Sequence, residues 1–186
     1  MTYHLAKKTG CFNDFQARLI ADATQGVDEV PDTDPSLGLT ASQRSQNIYN
    51  HGLSQGSYEG RENQDLRRQS RNGRTNYIGL GSYLHYYQDS YSHAGYESSF
   101  IGHGYMGHYP DYTNSDVEKA LRMADATFNA LNDYAKEKCG CAGNTTYDKE
   151  TIRRFAKVPA GSYALDITWF PHNLEKKRQI LGVPER

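Results

Sequence analysis

Residues 115–138, SDVEKALRMADATFNALNDYAKEK, narrow the folding options of this chain more than any other stretch. Val117, Leu121, Ala124, Phe128, Leu131 and Ala135 recur at the spacing of one helical face, and Ser115 followed by Glu118 reads as an S-x-x-E start. A helix of this length with an unbroken apolar stripe has to bury that stripe against other elements. The expectation is therefore a mainly α protein, a helical bundle joined by long loops.

Other segments fit that frame. Residues 12–27, FNDFQARLIADATQGV, open with Asn13 and Gln16 at capping-box spacing, and Phe15, Leu19 and Ala23 are expected to form the buried stripe. TASQRSQNIYNHG reads as a short second helix ending at His51 and Gly52, and a third is predicted over 76–93. Further helices are expected near 148–157 and after Pro171, the last ended by Gly182. SYALDITWF alternates like a strand but also suits a helix.

At 186 residues the chain suits one domain, 1–186, able to bury a core without covalent staples. The mean hydropathy of -0.83 and the 15 tyrosines mean that much of that core has to be amphipathic rings. A net charge of -1 provides no overall field toward nucleic acid or an anionic membrane. The one local exception is RENQDLRRQSRNGR, five arginines against two acids, read first as a solvated loop and second as a phosphate-recognition patch. No stretch is apolar enough for a membrane span or a signal peptide. Cys11, Cys139 and Cys141 are odd in number, and Cys139-Gly-Cys141 is too tight for the usual zinc hook. They are expected to be thiols or one incidental disulfide rather than a metal site.

The chemistry concentrates in LHYYQDSYSH. His85, Asp89 and His93 follow one another at four-residue steps, each drifting only about 40° around a helix, so the three share one stripe. They span roughly 12 Å along the axis, too far for one ion on a straight helix. His85 and Asp89 can hold one metal, while His93 serves a second ion, with Asp89 a possible bridge. Imidazole with carboxylate suits zinc, and also manganese or iron. Two ions about 4 Å apart are a recurring device for phosphodiester hydrolysis. Four of the seven histidines fall between His85 and His108, so the following glycine-rich segment is expected to supply the proton-transfer groups: His103, His108 and Asp111. The competing reading is plain: an isolated helical histidine is usually a satisfied or surface one. The tyrosines crowded between Tyr77 and Tyr112 suit either a cleft lining or, more simply, a core.

LGSYLHYYQDSYSHAGY followed by GHYPDYTNSDVEKALRMADATFNAL resembles the C-terminal toxin domains of RHS or YD-repeat proteins in bacterial competition systems. FNDFQARLIADATQGVDEVPDTDP resembles their amino-terminal part, so the likeness covers about 11–135 as a metal-binding core and leaves 136–186 as an extension. More distantly, the helical H-x-x-x-D core is similar to that of zinc-dependent phospholipases C and single-strand-specific zinc nucleases. The resemblance implies an all-helical, phospholipase C-like core with two or more zinc ions, in which His85 and Asp89 match the paired ligands and His93 the histidine after them. In those enzymes that histidine follows the aspartate at a longer interval than here. Asp28 and His51 are the implied counterparts of the remaining ligands, with Asp22 a rival to Asp28.

The implied activity is metal-dependent cleavage of phosphodiesters, in phospholipid or in nucleic acid, by an antibacterial toxin delivered without its own signal peptide and acting in the target bacterial cell. A cognate immunity protein is the implied partner. The alternatives are a metal-dependent nuclease toxin and a non-catalytic, metal-stabilised binding module.

Overall fold

The computed structural model describes residues 1–27, 76–92, 112–159 and 169–184. Among them are six helices and no strand: α1 (Thr2–Thr9), α2 (Asp14–Gly26), α3 (Tyr77–Ser92), α4 (Val117–Cys139), α5 (Lys149–Lys157) and α6 (Trp169–Leu181). The protein is mainly helical, as its periodicities predict. The expected helix ending at His51, the arginine-rich loop, the glycine-rich segment and most of SYALDITWF lie outside the described residues.

The chain divides into two compact units, Met1–Ala17 with Tyr112–Arg186, and Arg18–Asp111. Residues 136–186, set apart in the sequence as an extension, fall in the first unit together with α1.

Within the first unit α4 is the spine. Its stripe buries Leu121, Ala124, Phe128, Leu131 and Ala135, and it packs against α1 and α5, with α6 on α5. Its cap differs from the expected one. Asp116, in extended conformation, accepts a hydrogen bond from the Lys119 amide at 2.8 Å. An ionised carboxylate answers the positive end of a helix better than a hydroxyl does. Ser115 instead donates back to the Tyr112 carbonyl at 2.7 Å, and Glu118 is free to accept from Arg153 of α5 at 2.6 Å.

α1 is not predicted from the sequence, because eight residues are too few for periodicity to show and too few to be stable alone. Tertiary anchors hold it. Gly10 closes it at φ 75°, and Asn144 satisfies two of its terminal carbonyls, accepted by Lys8 O at 2.8 Å from the side chain and by Thr9 O at 2.7 Å from the backbone. Beside that cap a Cys11–Cys141 disulfide joins Cα atoms 5.9 Å apart, leaving Cys139 as an exposed thiol.

In the second unit, α2 from Arg18 onward packs against α3. The capping box at the start of α2, in the first unit, forms in both directions: Gln16 N donates to Asn13 Oδ1 at 2.9 Å and Asn13 N to Gln16 Oε1 at 3.0 Å. The buried stripe of α2 is Ala17, Ile20 and Thr24, not the expected one through Phe15, which is 73% exposed. Thr24 can take a buried place because its hydroxyl donates to the Ile20 carbonyl at 2.8 Å. α3 is capped by Asn76, whose side chain accepts from Gly79 N at 2.9 Å, and it buries Leu80, Leu84, Tyr83 and Tyr86.

Candidate metal centre

Local sequence dictates how α3 presents its chemistry. Gly81, His85 and Asp89 succeed one another at four-residue steps, so one stripe of the helix carries all three. Tyr83, Tyr87 and Tyr91 form a second ladder, with consecutive ring centroids 5.7 Å apart. It stands two residues, about 200°, around the helix from the first. These three rings therefore pack on the side of α3 away from His85 and Asp89 instead of lining the pair.

His85 is 4% exposed. Its Nδ1–H donates to the backbone carbonyl of Thr24 at 2.9 Å. Thr24 lies in the last turn of α2, where carbonyls lack intrahelical donors and the helix end carries partial negative charge. One ring nitrogen is thus committed to a neighbouring helix. The other, Nε2, lies 3.0 Å from Asp89 Oδ2, and the two side chains are 5% and 14% exposed.

That arrangement has a chemical consequence. With the Nδ1 proton spent on Thr24, a neutral ring turns the lone pair of Nε2 toward a carboxylate oxygen, and two electron-rich atoms in a poorly solvated place need a positive charge between them. A second proton on the ring supplies it, and so does a metal ion. The donor set fits a metal: one imidazole nitrogen, one carboxylate, and an outer N–H···O=C bond of the kind that orients metal-binding histidines. Two donors each about 2.1 Å from one ion stand about 3 Å apart, close to the separation observed here.

Of the residues singled out in the sequence, the structure brings His85 and Asp89 together. Asp22 is exposed on α2, about 200° from the buried Ile20. Asp28, His51, His93, His103, His108 and Asp111 lie outside the described residues. Among the described residues no group of three or more histidine, cysteine, aspartate or glutamate side chains forms a metal cluster. No helix among them is long and apolar enough to cross a membrane.

Two groups that sequence reasoning did not single out stand in the first unit. His4 of α1 is 7% exposed, and its Nδ1–H donates to the Leu181 carbonyl at 2.7 Å. Lys177 of α6 is buried, donates to Thr113 Oγ1 at 3.1 Å, and lies 4.9 Å above the Phe155 ring. Desolvation pushes its ammonium down to about 8. For His4 the sequence held no usable signal, α1 being too short for periodicity to show; for Lys177 it was the four-residue spacing from Leu181 within α6.

Comparison of the chain with protein-family models, with curated proteins and with solved structures gave no match.

Proposed function

We propose that this chain is a metal-dependent hydrolase of phosphodiester bonds, serving as an antibacterial toxin domain. One observation carries the metal reading: His85 Nε2 faces Asp89 Oδ2 at 3.0 Å while Nδ1 is committed to the Thr24 carbonyl. A buried pair so arranged suits a positive charge, supplied by a second ring proton or by a metal ion, and as metal ligands its residue types favour zinc, with manganese or iron as substitutes.

In this reading His85 and Asp89 are the first rungs of a centre holding two or more ions in a phospholipase C-like helical core. Asp28, His51 and His93 complete the ligands, and His103, His108 and Asp111 handle protons at the attacking and leaving oxygens. The bound ion supplies Lewis-acid stabilisation of charge developing on the phosphoryl group. The chain's own part is to fix the imidazole through Thr24 and to hold Asp89 beside it with little water around.

The toxin assignment and a cognate immunity protein as partner rest on the likeness to RHS toxin domains, and the phosphodiesterase assignment, with phospholipid favoured over nucleic acid, on the more distant likeness to zinc-dependent phospholipases C and zinc nucleases. The Cys11–Cys141 disulfide supports passage through, or action in, an oxidising compartment. The burial of His85 favours a second reading, a non-catalytic module in which a closed metal site completes the fold.

Elemental analysis of the purified chain, with His85→Ala and Asp89→Ala beside it, tests the metal. Wild type is expected to hold at least one equivalent of a transition metal and both variants less. Less than one equivalent in wild type, with both variants fully active, overturns the reading. Hydrolysis of mixed phospholipids against single-stranded DNA and RNA, with and without chelator, then assigns the substrate. No hydrolysis of any of them, together with unfolding on chelation, selects the structural module.

A further inference from the structure

The stripe of α3 that carries His85 and Asp89 begins at Gly81, one turn earlier, where the helices come closest. A Cβ placed on Gly81 would meet the Ala23 Cβ at 2.5 Å, the Ile20 carbonyl oxygen at 2.6 Å and the Thr24 amide nitrogen at 3.0 Å. Two of those three atoms are backbone and cannot swing aside. The same turn of α2 supplies the Thr24 carbonyl that receives His85 Nδ1–H. Close approach at Gly81 and anchoring of the imidazole are therefore one contact, seen on successive turns of α3.

A glycine inside a helix is otherwise unfavourable, by about 1 kcal/mol against alanine, so helix formation alone argues for a larger residue here. Ordinary carbon contacts begin near 3.5 Å, so any side chain at 81 would drive the helices about 1 Å apart. The Nδ1–H···O bond, 2.9 Å long now, would then exceed hydrogen-bond range. The ring would be free to turn, and Nε2 would leave Asp89.

We propose that Gly81 is a positioning residue for the metal pair: by letting α3 meet the backbone of α2, it lets Thr24 fix the His85 ring so that Nε2 and Asp89 face one cation. This rests on the metal reading given above and adds to it a residue that touches no ion. Loss of an outer partner of a metal-binding histidine typically lowers metal affinity 10- to 100-fold, and that is the range expected for Gly81→Ala.

The test uses the full chain with zinc as the probe. Zinc affinity is measured by competition with a chromophoric chelator, and the His85 Nδ1 proton is followed by NMR in metal-free protein. Ser82→Ala, on the exposed face of the same helix, is the control. Gly81→Ala is expected to keep its helical circular dichroism, to bind zinc about 10- to 100-fold more weakly and to lose the slowly exchanging Nδ1 proton, with Ser82→Ala unchanged in both. A folded Gly81→Ala with wild-type affinity and a protected Nδ1 proton overturns the proposal. Should that variant fail to fold, wild type decides: an Nδ1 proton that exchanges as fast as that of free imidazole overturns the proposal, and a protected one in contact with Thr24 upholds it. Wild type that binds no zinc yet shows the protected proton, lost in Gly81→Ala, overturns the metal reading and leaves Gly81 positioning the ring alone.

Discussion

Two buried histidines, His4 on α1 and His85 on α3, are anchored in the same way and end in opposite situations. Each donates Nδ1–H to a backbone carbonyl in the last turn of another helix, His4 to Leu181 and His85 to Thr24. What faces Nε2 separates them. His85 Nε2 faces a carboxylate. His4 Nε2 is buried with no hydrogen-bond partner among the described residues, which costs about 1–3 kcal/mol. An anchored ring with nothing opposite is a core histidine, whereas an anchored ring with a carboxylate opposite is equipped to hold a cation. Burial alone does not distinguish them.

The surroundings repeat the contrast. His4 stands in a unit fastened covalently, since the Cys11–Cys141 disulfide spans 130 residues of sequence. The chain-entropy account assigns a loop of that length about 5 kcal/mol at most. The largest effect predicted is therefore that of Cys11→Ser combined with Cys141→Ser, a loss of about 2–5 kcal/mol in denaturant unfolding. Hydrogen exchange should place the loss in α1 and α4. Chelation should instead expose α2 and α3. Equal loosening of both regions by either treatment would erase the distinction.

Next in size is the effect on metal. His85→Ala and Asp89→Ala should each weaken zinc binding by 100-fold or more, equivalent to about 3 kcal/mol. His4→Ala should leave it unchanged. If His4→Ala releases zinc as readily as His85→Ala, a carboxylate opposite Nε2 is not what marks the site.

Lys177 extends the comparison to a charge without a counter-charge. No carboxylate pairs with it among the described residues, and desolvation holds its ammonium at about 8 instead of 10.5. The unfolded chain therefore binds a proton between those values that the folded chain does not. Stability rises with pH across that window, and below pH 8 the buried charge is a standing cost. Lys177→Met should stabilise the protein at pH 7 by about 1–3 kcal/mol, the lower figure allowing for the lost bond to Thr113. The gain should vanish above pH 10.5, as midpoints of urea unfolding at pH 7 and 11 will tell.

The sequence was legible where periodicity and short-range chemistry decide structure. α3 and α5 fall where their patterns place them, and the Asn13–Gln16 box forms as its spacing requires. It was less legible where tertiary contacts decide. Phe15 looks like a core residue, yet Thr24 takes the buried place because its hydroxyl has a partner within its own helix. α1 has no periodicity to read, and its anchors, Asn144 and Leu181, lie over a hundred residues away. At the site, the four-residue step from His85 to Asp89 was readable. The Thr24 carbonyl was not, being a backbone atom that any residue would supply. Gly81 was hidden too, since a glycine inside a helical pattern reads as a weakness until the neighbouring helix is seen.

The smallest effect expected, and the one that most directly sharpens the pairing of the two histidines, is the pH response of His4. Burial lowers its pKa below 6.5, opposed in part by the bond from its ring to the Leu181 carbonyl. Because the folded value is the lower one, the unfolded chain takes up a proton near pH 6.5 that the folded chain resists. The His4 contribution is therefore complete above that pH and is lost as the pH falls through 6.5 toward the folded value. His4→Asn keeps a side-chain N–H able to reach Leu181 O but has nothing to titrate. The stability difference between wild type and this variant, followed by urea unfolding at pH 7, 6 and 5, should shrink or reverse as the pH drops. A difference that holds constant across those three values would mean that the His4 ring accepts its proton inside the fold, and that its Nε2 has found the partner that marks out His85.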